Sequence, residues 1–77
     1  MQLLEWMRRH GVDDEQMAAL INQGRPAAER CTAHAVKKWK YRERVPSAAM
    51  IARFEDVTRK RVKLRDWVED PREKGAA

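Results

Sequence analysis

The chain predicts an all-α domain of five short helices, and three observations carry that expectation. Apolar side chains recur at spacings of three and four in five separate stretches, glycine or proline marks most of the joints between them, and no apolar/polar alternation lasts long enough for a half-buried strand. A chain of 77 residues holds one domain at most. That domain is expected to span residues 1–70, with 71–77 ("PREKGAA") as a disordered C-terminal tail that has nothing to bury.

Leu3, Leu4, Trp6 and Met7 fall within two turns and Gly11 follows as a stop, so residues 2–10 read as the first helix. Asp13 stands three residues before Gln16, the spacing of a capping box, in which each side chain takes up the other residue's free N–H. Met17, Leu20 and Ile21 supply the stripe behind it, giving a second helix over 14–22. "NQGRP" then breaks the period, and Pro26 suits the first position of a new helical turn.

The helical period returns from Thr32 to Arg42. At 100° per residue Thr32, Ala35, Val36 and Trp39 share one arc, and Ala33, His34, Lys37, Lys38 and Tyr41 share the opposite one. Val36 and Trp39 belong to the core on this pattern, and the other arc is a basic front. Pro46 and Ser47 open a fourth helix in which Met50, Ile51, Phe54 and Val57 keep the spacing until about Thr58. Its stripe either packs inward or meets a second subunit. Val62, Leu64, Trp67 and Val68 mark a short fifth segment.

Several function classes find no footing. The single cysteine, Cys31, cannot form an internal disulfide, and with the distant His10 and His34 it makes no zinc-site spacing, so it reads as a small buried hydrophobe. There is no Gly-rich phosphate loop and no paired nucleophile and base, while Asp13, Asp14 and Glu15 answer the dipole at a helix start. Neither catalysis, metal nor cofactor is expected. No apolar run approaches the roughly 18 residues needed to span a bilayer, and the N-terminus lacks the order of a secretory signal, so a reduced, cytoplasmic protein without membrane contact is expected. A core this small supplies roughly 3 to 5 kcal/mol, which makes self-association a reasonable prior.

Charge narrows the partner. Lys37, Lys38, Lys40, Arg42 and Arg44 face the single acid Glu43 within one octet, which holds +4 of the chain's +5. Charge gathered so densely creates a local field suited to a polyanion, and nucleic acid is the first partner to consider.

Three stretches carry a resemblance to a known family: "LLEWMRRHGVDDEQMAALI", "CTAHAVKKW" and "RVPSAAMIARFEDVTRKRVKLRDW". In order and content they resemble the five-helix Cro/repressor-type, or xenobiotic-response-element-like, helix-turn-helix family. The third, with "VKKWKYRE", is particularly similar to YdaS-like antitoxin regulators and to the CII-type activators of lambdoid phages. The resemblance implies a compact five-helix helix-turn-helix domain that binds a double-stranded DNA operator, as a homodimer, with residues 32–42 in the major groove. A transcription regulator, repressor or activator, is the function implied. Carried over residue by residue, Ala33, His34 and Lys38 would face base edges and Lys37 would lie between bases and backbone. Thr32, Lys40, Tyr41, Arg42 and Arg44 would hold phosphates. The alternative the resemblance leaves open is an antitoxin, or other protein-interaction module, with a small toxin as partner and little specific reading of DNA.

The sequence departs from the family in three places. "NQGRPAAER" puts nine residues where the family has a single glycine, so either an enlarged loop bulges outward or Pro26 starts a turn that runs on into an unusually long recognition helix. Asp14 stands where the family often has a phosphate-binding glutamine, and its carboxylate would repel the DNA backbone. Glu43 stands where a C-capping glycine is common.

Overall fold

Side-chain caps close the starts of three helices. In the computed structural model, which describes residues 1–68, the Asp13 carboxylate accepts the Gln16 N–H at 2.8 Å and the Gln16 side chain accepts the Asp13 N–H at 2.9 Å. Thr32 accepts from the Ala35 N–H at 3.1 Å, and Ser47 from the Met50 N–H at 3.2 Å. Each cap takes up a donor with no partner inside the helix, a contribution of about 1 kcal/mol. The resulting order is α1 Leu3–His10, α2 Asp14–Asn22, a short 3-10 turn Ala27–Glu29, α3 Ala33–Lys40, α4 Ala48–Val57 and α5 Leu64–Val68. Among the described residues there is no strand, and the fold is all-α. The expected tail over 71–77 lies outside the described residues.

α1 stops at Gly11, whose left-handed φ of 63° lets the Val12 N–H turn back to the Met7 carbonyl at 2.9 Å. α4 stops without a glycine. Thr58, buried, donates its hydroxyl to the Phe54 carbonyl and accepts the Val62 N–H at 3.1 Å, so one side chain closes α4 and orients the strap to α5.

The core gathers Leu3, Trp6 and Met7 from α1, Met17, Ala18 and Ile21 from α2, Val36 from α3, and Ile51 and Phe54 from α4, closed by Val62 and Trp67. Phe54 is its hub. Trp39 meets it edge-on at 5.6 Å between ring centroids, and Trp67 meets it tilted at 5.4 Å. Replacing Phe54 by alanine would cost about 3 to 5 kcal/mol, comparable to all that such a core supplies. The α4 stripe is therefore spent mainly inward: Ile51 and Phe54 are buried and Met50 is half-buried. Of the large apolar side chains after α3, Val45 and Leu64 stay mostly exposed, at 60% and 53%.

The nine-residue insertion resolves as a loop. Gly24 takes a φ of 74° in a turn closed by the Arg25 N–H on the Asn22 carbonyl at 2.9 Å. Pro26 precedes the 3-10 turn instead of opening it, and Arg30 returns to extended backbone. Thr32 is extended too, so α3 begins at Ala33 and no long recognition helix forms. Asn22 pins the base of the loop: its amide donates to the Cys31 carbonyl at 2.8 Å and its oxygen accepts the Cys31 N–H at 2.7 Å. Arg53 of α4 reaches the far side, donating to the Glu29 carbonyl at 2.6 Å.

Candidate nucleic-acid interface

Val36, with no exposed surface, fixes the rotation of α3 and thereby decides which side chains face outward. His34 and Lys37 are exposed, while Ala33 and Lys38 are half-buried. Thr32, exposed, accepts the Ala35 N–H at its hydroxyl oxygen, a cap that does not use the hydroxyl's own proton. Beyond the helix, Tyr41 (52% exposed) and Arg44 continue the basic front, with Glu43 as its one acid.

Two of the expected phosphate holders have partners inside the molecule. Lys40 sits only 40° around the helix from Val36, on the inner side. Its ammonium lies 2.7 Å from Asp14 Oδ1 at the start of α2, an ion pair between the two helices. It also lies over the Tyr41 ring, 5.0 Å from the centroid. With side-chain exposures of 16% and 25%, the pair joins a cation expected to hold DNA to an acid expected to repel it.

Arg42 departs further from expectation. The sequence places the end of the recognition helix at residue 42, yet α3 ends at Lys40 and Arg42 takes a left-handed φ of 62°. The Glu43 N–H then bonds to the Lys38 carbonyl at 2.8 Å, and the Arg42 N–H to Trp39 at 3.0 Å, the paired bonds of a Schellman stop with arginine where glycine is usual. The guanidinium explains the choice. Nη1 donates to Gln2 Oε1 at 2.8 Å and to the Asp66 carbonyl, and Nη2 to the Trp67 carbonyl at 3.0 Å. Arg42 thus joins the end of α3 to the N-terminus and to α5, with three of its five N–H donors taken by protein.

Cys31 lies half-buried at the foot of the loop. Burial pushes its thiol above the usual range, against the smaller opposing effects of a backbone hydrogen bond and Arg53. The expected small buried hydrophobe is thus only half-buried here. Among the described residues no three His, Cys, Asp or Glu side chains converge as a metal site, and no helix is long and apolar enough to cross a membrane.

A second basic run escapes a charge sum taken over the rest of the chain. Arg59, Lys60, Arg61, Lys63 and Arg65 fall within seven residues that contain no acid, and all five are exposed. Distant acids such as Asp13, Asp14 and Glu15 cancel them on paper, though not in space. A seven-residue window would have found them. Comparison with family models, with curated proteins and with solved structures finds no match for this chain.

Proposed function

We propose that the chain is a sequence-specific, double-stranded DNA-binding transcription regulator that lays α3 in a major groove. The observation that carries this reading is the outward face of α3, where exposed His34 and Lys37 and half-buried Lys38 continue into Tyr41 and Arg44. An α-helix with its side chains is about 10 to 12 Å across, a fit for a groove about 12 Å wide. Ala33, His34 and Lys38 take base edges, Lys37 lies between bases and backbone, and Thr32, Tyr41 and Arg44 take phosphates. Lys40 and Arg42, engaged elsewhere, leave that set.

Fewer phosphate partners mean weaker binding by one subunit, so operation as a homodimer on half-sites about 34 Å apart follows from the same reading. Occupancy then controls transcription by blocking polymerase or by recruiting it, with no ligand required. The test is a mobility shift at moderate salt with DNA from upstream of the chain's own gene, against a shuffled duplex. Preference for the upstream fragment supports the proposal. Equal, weak retention of both, with co-purification of a second small protein, would favour the interaction-module reading instead.

A further inference from the structure

The run from Arg59 to Arg65 is placed against the demands of stability. Arg59 and Lys60 both hold left-handed backbone, with φ of 55° and 64°, where glycine or asparagine fits with less strain. Lys63 immediately precedes α5, at the end of a helix where the dipole disfavours a cation. Among the described residues none of the five forms an ion pair. Five like charges, none of them ion-paired among the described residues and two of them on left-handed backbone, call for an external partner of opposite sign.

α1 separates this run from the α3 face. Leu4 and Arg8, on one side of α1, share a hollow with Lys40 and Tyr41. Trp6, Arg9 and His10, on the opposite side, share another with Arg59 and Arg61. A third hollow, lined by Lys60, Arg61, Lys63 and Arg65 with Asp66, whose carboxylate is paired with the N-terminal ammonium, adjoins the second through Met1 and Arg61, making one mainly basic track. The only large apolar side chain exposed in the run is Leu64, too little to enter a bilayer, so a phosphate backbone suits the track better than a membrane surface.

We infer that residues 59–65 form a second, sequence-independent phosphate-binding surface, which takes the backbone of a nucleic-acid segment other than the one facing α3. The assignment does not depend on base reading by α3, and its test uses random duplex, which a failure of that reading would leave unaffected. Binding of a short random-sequence duplex is titrated against salt for the full chain, for Lys63→Gln/Arg65→Gln and for Lys37→Gln/Lys38→Gln. The Lys63/Arg65 variant should lower the slope of log K against log salt by about 0.9 for each phosphate it no longer neutralises, and the reductions from the two faces should add. An unchanged slope in the Lys63/Arg65 variant overturns the inference. So does a slope abolished by the α3 variant alone, or binding to phosphatidylserine vesicles that needs Lys63 and Arg65 while duplex binding does not. Arg59→Asn and Lys60→Asn supply a check that no folding defect obscures, because asparagine tolerates the left-handed turn: each should melt higher than the parent and bind random duplex more weakly. A lower melting temperature in both would show that these side chains serve the fold, and would overturn the inference.

Discussion

Replacing Arg42 by alanine separates the two roles open to that side chain. Its guanidinium makes three hydrogen bonds across a partly buried junction, to Gln2 and to the carbonyls of Asp66 and Trp67. At about 1 kcal/mol net for each, the value for an ordinary hydrogen bond and suited to a half-buried side chain, their loss comes to about 3 kcal/mol. Alanine returns nothing, because it retains the left-handed backbone. With a core that supplies roughly 3 to 5 kcal/mol, the variant should lie near its unfolding midpoint, and its Tm should fall by roughly 12 to 24 °C. Arg42→Gly loses the same bonds but relieves the strained φ, so it should melt above the alanine variant by about 1 kcal/mol in stability. Arg42→Lys keeps the charge without the fork of donors, and should lose about 2 kcal/mol. Thermal melts followed by circular dichroism rank the three. An Arg42→Ala protein that melts with the parent and loses only affinity for DNA would refute the reasoning and return Arg42 to the phosphates.

The Lys40–Asp14 pair predicts a gain from removing an acid: Asp14→Asn releases Lys40 and should raise affinity for any duplex, with a salt slope steeper by about 0.9 if the freed ammonium reaches a phosphate; titration against salt reads both. Asn22→Ala leaves the Cys31 N–H and carbonyl without partners at the foot of the loop and should cost about 1 to 3 kcal/mol in urea unfolding; an unchanged midpoint would mean that the loop base is held in another way. The Cys31 thiol, its pKa raised chiefly by burial, should react with a disulfide reagent more slowly than free cysteine at neutral pH, with the rate rising at higher pH than for the free amino acid; equal rates would contradict the burial. Lys38→Ala should flatten preference at one guanine-containing position, a discrimination worth about 1 to 3 kcal/mol, and Lys37→Ala should weaken all sequences alike; a selected motif unchanged by Lys38→Ala would remove it from the base readers.

Local chemistry makes much of the fold legible. Asp13 with Gln16, Gly11, and Ser47 after Pro46 each announce a helix boundary through backbone groups only a few residues away, and the boundaries fall within a residue or two of expectation. The end of α3 is not legible in that way. Its left-handed stop is occupied by an arginine, an unfavourable choice by local rules, and the compensating bonds come from Gln2 and α5, 40 and 24 or 25 residues distant. The insertion is open to two readings in sequence because "PAAER" favours a helix locally, while the decisive bonds come from the Asn22 and Arg53 side chains.

The candidate site divides along the same line. The outward positions of His34 and Lys37 follow from helical angle alone. So does the inward position of Lys40, one turn beyond Val36, against which family analogy points outward. The Arg59–Arg65 run is legible from local charge but invisible in a sum over the chain, since charges act over about 10 Å and not over a composition.

Selection of binding sites from a fully randomised duplex pool tests the central claim, that α3 reads sequence, most directly. The expected result is an enriched motif with half-sites one helical turn apart, in which His34→Ala and Lys38→Ala each blur neighbouring base positions while Arg44→Ala leaves the motif intact and lowers affinity. Retention of DNA without enrichment of any motif, by a chain that remains folded, would contradict it.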